Sequence, residues 1–272
     1  METKPYWFET PLPQFPGIDR DLEVDVVIIG GGLTGITAAY LLKKEGAKVA
    51  LVERQRCASA DTGHTTAHLT YVTDTRLHQI VKTFGKDAAR AFWEAGAVAN
   101  DEIYRIVREE NIDCEFKWVP GFLHEAFKDP EKNETELLQT DAELAGQLGF
   151  RAEFIKSVPY AKRPGVKFHH QAKFHPRKYL ARLLERIPGD GSYIFENSEA
   201  AEVEEMPLAV KVNRFKLRCR YLMIATHTPL MGKTSLFRAT LFQSKLALYT
   251  SYVLGARLPG GTVPLGSRAP NT

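Results

Sequence analysis

Residues 24–53 constrain this chain more than any other stretch. A β-branched run, a glycine-rich turn, an amphipathic segment, a second apolar run and an acid follow one another without a break. Val26, Val27, Ile28 and Ile29 suit a parallel strand covered on both faces. Gly30 permits a tight turn out of that strand, Gly32 lets bare backbone approach a pyrophosphate, and Gly35 lets the next helix lie close to the strand. A helix starting near Thr34, with Leu33 at its entry, points unpaired N–H groups and the positive end of its dipole at phosphate. Ile36, Ala39, Tyr40, Leu41 and Leu42 give that helix a packed side, and Gly46 ends it. Lys48 to Val52 returns as a second strand, and Glu53 at its carboxyl end can accept hydrogen bonds from ribose hydroxyls. A carboxylate there disfavours a 2′-phosphate, so the pattern favours FAD or NAD over NADP. A glycine triplet alone is weak; strand, turn, helix and acid in this order make it specific.

A chain of 272 residues holds one large domain or two modest ones. A net charge of +3 from nearly balanced acids and bases points to neither a nucleic-acid nor a membrane partner. Cys57, Cys114 and Cys219 stand far apart, with no CxxC pair and no Cys/His ligand spacing, which implies no metal site. The N-terminus lacks the apolar run of a signal peptide, and a cytoplasmic location is expected.

Residues 1–22, rich in proline and aromatics, read as an extended arm. The apolar spacing from Arg76 to Glu110 predicts two helices meeting near Gly85. Residues 114–128 read as strand material with a turn at Pro120–Gly121. A further helix is outlined by Leu137, Leu138, Leu144, Ala145 and Leu148, closed by Gly149. Pro176 opens another, proline being favoured at a first helical position. Tyr193–Phe195 predicts a short strand. Arg214, Lys216, Arg218 and Arg220 alternate with apolar residues as a half-buried strand with a solvated basic face. Tyr221–Ala225 reads as a second, fully apolar strand, Leu246–Leu254 as a weak one, and the Gly/Pro-rich tail as a loop.

The small-residue stretch after Glu53, where a simple NAD dehydrogenase would have a helix, separates a flavin from a nicotinamide reading. Tyr6–Trp7, the Gly30–Gly35 fingerprint, Glu53, GHTTAHLT at 63–70, FHPRKYL at 174–180 and IATHTPL at 224–230 carry a resemblance. The chain resembles FAD-dependent oxidoreductases of the D-amino-acid-oxidase and glycine-oxidase class. It is most similar to the bacterial subgroup with a C-terminal Rieske domain. The resemblance implies an α/β fold, a Rossmann-like FAD-binding domain with an inserted α+β substrate domain. The expected boundaries are an arm at 1–22, FAD-binding segments at 23–112 and 174–235, and substrate-domain segments at 113–173 and 236–272.

The resemblance also implies site residues. Gly30, Gly32 and Gly35 would hold the FAD pyrophosphate, with Leu33 and Thr34 beside it. Glu53 would hold the ribose, and Arg54 would lie near adenine. Gly63, His64, Thr65, Thr66 and Ala67 would approach the flavin, and the Ala200–Val203 segment would contact adenine. Ala225 and Thr226 would end the strand returning beneath the cofactor. The implied reaction is hydride removal from a carbon beside an amine or amino-acid nitrogen, with dioxygen or an electron carrier as acceptor. The family's second glycine-rich segment and the Rieske ligands are absent. The sequence therefore reads as an N-terminal portion, expected to hold FAD weakly or not at all by itself. An NAD-dependent dehydrogenase and a non-catalytic remnant are the alternatives. His68, His169, His170 and His175 read as structural, and Trp93 and Trp118 as packing residues. His64 reads equally as a flavin or substrate contact and as a loop histidine bonded to backbone.

Overall fold

A computed structural model describes residues 5–128, 132–227 and 267–268. In chain order the elements are β1 Leu22–Ile29, α1 Leu33–Lys44, β2 Val49–Val52, β3 His68–Leu69, α2 Leu77–Phe84, α3 Lys86–Glu109 and β4 Lys117–His124. Then come α4 Glu134–Gln147, β5 Ala152–Ile155, β6 Gly165–Lys173, α5 Pro176–Arg186, β7 Tyr193–Phe195, β8 Ala200–Glu205, β9 Leu208–Val212, β10 Phe215–Ile224 and β11 Ser267–Arg268. Single turns of 3-10 helix occupy Tyr6–Glu9 and Asp61–His64. The chain divides into two compact units, one from residues 1–65 and 176–255, the other from 66–175 and 256–272.

The first unit is a six-stranded sheet in the order β7-β2-β1-β10-β9-β8. β7, β2, β1 and β10 are parallel, and β9 and β8 continue as an antiparallel meander. The β-branched run of β1 sits at the centre, paired with β2 from Val26↔Val49 to Ile29↔Val52 and with β10 from Leu22↔Leu217 to Ile29↔Ile224. Strand alternation sends Ile28 toward α1, where a Cβ on Gly35 would be 3.4 Å from its Cγ2. Val27 and Ile29 turn the other way, into a core with Ile18, Val52, Phe195, Val210, Val212 and Leu217.

The second unit is built on a smaller sheet in the order β11-β4-β6-β3, with β5 paired to β6. α2, α3 and α4 supply Leu77, Ile80, Trp93 and Leu138 to a core with Leu123, Val166 and Phe168 of β4 and β6. Trp93 is its centre, 1% exposed and edge-on to Phe150 and Phe168 at 5.3 and 5.7 Å. Asp141 of α4, also buried, accepts from the Nε of Arg76 and from the backbone N–H of His78, which ties the start of α2 to α4.

The structure corrects several expectations. The first segment of the dinucleotide unit ends at Thr65 rather than at residue 112, because the apolar faces of α2 and α3 pack with β4 and β6 instead of on the parallel sheet. Residues 117–124 form one strand, not a turn, with a shift of register against β6 between Val119 and Gly121. Phe215–Ile224 is one continuous strand, since parallel pairing to β1 runs its length. Strands β3, β5, β6, β8 and β9 are additional. The arm contains a helical turn, and part of the tail, Ser267–Arg268, pairs with Phe122 and Leu123 of β4. The strand expected at Leu246–Leu254 lies outside the described residues. No helix among the described residues is long and apolar enough to cross a membrane.

Candidate cofactor site

The site begins where β1 ends. Gly30 has φ +113°, and a Cβ there would stand 2.5 Å from the carbonyl oxygen of Ala225. The Ala225 N–H donates to the Ile29 carbonyl at 2.8 Å, so the end of β10 is fastened to the end of β1. Gly32 is the N-cap of α1 in extended conformation, and a Cβ on it would meet only the Thr62 Oγ1, at 3.3 Å. Backbone is bare at that point. Leu33 and Thr34 are the first residues of α1, where amides lack intrahelical acceptors. The Leu33 N–H donates to Thr62 Oγ1 at 3.1 Å.

Glu53 follows β2 and closes back on the turn. Its Oε2 accepts from the Gly31 N–H at 2.7 Å and its Oε1 from the Gln55 N–H at 2.8 Å. Arg54 is exposed. The next residues fold over the turn: the Ala58 N–H donates to the Gly31 carbonyl, and the Cys57 Sγ lies where it would crowd any side chain at Gly31. Burial, with Glu196 and Glu53 nearby, pushes the Cys57 thiol far above its ordinary pKa, so it stays protonated. This cysteine is packing, not a nucleophile.

In the following segment Gly63 is buried, while His64, Thr65 and Thr66 are exposed. The His64 Nδ1 lies 2.8 Å from the Ala60 carbonyl, a local backbone contact. Thr66 and Ala67 begin the second unit, with Ala67 at φ +57°. Thr226 follows Ala225 at the end of β10, and the His227 Nδ1 is 3.2 Å from the Asp61 carboxylate. The first unit thus gathers Gly30, Gly32, Leu33, Thr34, Gly35, Glu53, Gly63 and Ala225. Val203 is different. Its strand is separated from β1 by β10 and β9, and it is the N–H groups of Asn197 and Ser198 that bond to the Gln55 and Glu53 carbonyls.

Two residues of this neighbourhood go unnoticed in the sequence. Thr62 has a signal, a hydroxyl beside the glycine of the 61–64 turn. Glu196 is fully buried directly after β7, where it accepts from the Cys57 and Phe15 N–H groups and from Arg56 at 3.0 Å. An acid after a short apolar strand is the pattern that drew notice at Glu53.

Residues 25–247 match the family described as FAD dependent oxidoreductase. The chain belongs to that family. It is 35% identical over 257 residues to a putative Rieske 2Fe-2S iron-sulfur protein, YhfW, of Bacillus subtilis, covering 93% of this chain and 49% of that protein. It is 23% identical to gamma-glutamylputrescine oxidoreductase of Escherichia coli, covering 80% of this chain and 52% of that one. The chain spans about half the length of these curated relatives. Among solved structures, glycine oxidase from Geobacillus kaustophilus aligns with a TM-score of 0.58 at 14% identity, over 75% of this chain and 55% of that one. L-proline dehydrogenase from P. horikoshii aligns with a TM-score of 0.58 at 17% identity, over 76% and 53%. These likenesses bear on the fold. FAD is the family's cofactor, and the oxidoreductases of the family are enzymes.

Proposed function

We propose that the protein containing this chain oxidises a C–N bond of a small amine or amino acid, using FAD held on the β1–α1 turn. The observation that carries the reading is the side-chain-free turn at Gly30–Gly32, closed by Ala225 on one side and leading into the amides of α1. Its donors fit a diphosphate: a helix N-terminus with bare backbone before it binds phosphate through N–H groups and the helix dipole. Glu53, at the end of β2, would take the adenosine ribose, with Arg54 near the adenine. Gly63, His64, Thr65, Thr66 and Ala67 would lie toward the flavin, and Thr226 beneath it. When bound, FAD supplies the hydride acceptor; the protein's part is to bind, orient and exclude water.

Thr62 and Glu53 are the residues whose hydrogen bonds bear on loading. They already satisfy the Leu33 and Gly31 amides, which holds the turn in one shape before a ligand arrives. Preorganisation of this kind lowers the ordering cost of binding. The substrate class is supported by the names of relatives, one acting on gamma-glutamylputrescine and others on glycine and proline. The helix that an NAD dehydrogenase would carry straight after Glu53 is missing, because the chain there folds over the turn and then enters the second unit.

The test is anaerobic. The full-length protein, loaded with FAD, is mixed with a panel of primary amines, secondary amines and amino acids while the flavin absorbance is followed. Bleaching by an amine supports the reading; bleaching by NADH or 2-hydroxy acids alone overturns the substrate class.

A further inference from the structure

The arm before β1 makes contacts that a phosphate-binding turn does not itself require. One helical turn, Tyr6–Glu9, presents Trp7 and Phe8 to the Asp61–His64 turn. The Trp7 Nε1 donates to the Thr65 carbonyl at 2.7 Å. Phe8 lies against Gly63 so closely that a Cβ on Gly63 would stand 2.4 Å from the ring's Cε2. The His64 ring packs on the same phenyl at 5.5 Å, and the Arg177 guanidinium covers it at 4.4 Å from the ring centre.

Arg177 makes the arrangement unusual. It is 8% exposed, and its Nε has no hydrogen-bond partner among the described residues. Burial, together with the nearby Arg56, lowers its pKa below the usual guanidinium range. A desolvated guanidinium over an aromatic face is stabilised by the ring quadrupole, more strongly than at an exposed site. Phe8 is therefore held by a glycine with no room for a side chain and by a buried cation. Beside Gly63 in the same short turn, Thr62 accepts from the first amide of α1. Contacts run without a gap from Arg177 through Phe8, Gly63 and Thr62 to Leu33.

We infer that Trp7 and Phe8 are positioning residues, holding the Asp61–Thr65 turn against the start of α1 and so setting the chain's affinity for FAD. The inference rests on the FAD assignment proposed above, and two independent readouts keep the failures apart.

Phe8→Ala, Phe8→Leu and Trp7→Phe are compared with the parent in the full-length protein that contains this chain. Hydrogen exchange of amides 61–65 is measured without flavin, and FAD is titrated separately. Phe8→Ala is expected to speed exchange of those amides roughly tenfold while β1 and β2 keep theirs. The FAD dissociation constant should rise by a similar factor, about tenfold, as a preorganised loop loses its order. Phe8→Leu, which keeps bulk over Gly63, should recover much of both effects. Should Phe8→Ala also open β1 and β2, the milder Trp7→Phe decides, losing only the indole N–H bond to Thr65. Unchanged exchange at 61–65 overturns the clamp whether or not flavin binds. Faster exchange with unchanged FAD affinity overturns the positioning role. A full-length parent that takes up no FAD overturns the cofactor assignment and that role with it, while the exchange data still report on the clamp.

Discussion

The carbonyl oxygen of Gly30 occupies the space a side chain on Gly35 would need, 1.9 Å from its Cβ position. The first turn of α1 is thus pressed directly onto the end of β1. Gly35→Ala must push helix and strand apart, and overpacking of this kind costs about 1–3 kcal/mol. Gly46 is a contrast, with φ +87° and nothing within 4 Å of a Cβ. Gly46→Ala meets only backbone strain, about 1–2 kcal/mol. Urea unfolding measures both, and only Gly35→Ala should also weaken FAD binding.

Glu196 anchors the loop that covers the turn. Glu196→Ala strips the buried Cys57 N–H and the part-buried Phe15 N–H of their acceptor and Arg56 of its carboxylate partner, leaving Arg56 the Pro13 carbonyl. Leaving such groups unpaired costs about 2–4 kcal/mol in total. Arg56→Ala should cost less, because the Glu196 carboxylate keeps the Cys57 and Phe15 N–H donors. Denaturant midpoints of the two variants check the order; an equal or reversed cost contradicts the assignment.

Alkaline pH should destabilise the second unit. Burial raises the Cys114 thiol from 9.0 to about 11 and the Tyr71 hydroxyl from 10.0 to about 12. Between pH 9.0 and about 11 the unfolded chain has lost a proton that folded Cys114 keeps. Stability is therefore full below the lower value and falls as pH rises through the window, by up to about 1.4 kcal/mol per pH unit per group. Urea midpoints across that window should fall with pH, and less steeply in Cys114→Ala. A flat profile would contradict the burial of these groups.

The parts legible in the sequence are those whose signal is local. Strand, glycine turn, helix and acid at 24–53 are contiguous, so the pattern alone yields β1, α1 and β2. β6 was illegible for a physical reason: Val119 pairs with Gln171 and Gly121 with Phe168, so a bulge at His169–His170 breaks the alternation that would have marked it. Tyr221–Ala225 read as a separate strand because composition changes there, although pairing to β1 does not. The unit boundary at Thr65 depends on which sheet α2 and α3 cover, and amphipathic spacing carries no such address. Glu196 and Thr62 matter through partners distant in sequence, which periodicity does not report.

Glu53→Ala removes the acceptor of the Gly31 N–H as well as the expected ribose contact. The affinity for FAD should fall by about 1.5–3 kcal/mol for each charge-assisted bond lost. Calorimetric titration measures it; an unchanged affinity would place the ribose elsewhere.

The central claim is that FAD sits on the β1–α1 turn, and Gly32 tests it most directly. A Cβ at position 32 has space in the folded chain, meeting only Thr62 Oγ1 at 3.3 Å, so Gly32→Val should fold while blocking the approach of a diphosphate. The measurement is FAD titration of the full-length protein that contains this chain and of its Gly32→Val variant, with circular dichroism confirming equal folding. Saturable binding by the parent, weakened by about a hundredfold or more in Gly32→Val, is the predicted result, since a side chain there removes backbone contact with the pyrophosphate. Equal FAD affinity in the two folded proteins, or none in the full-length parent, would contradict it.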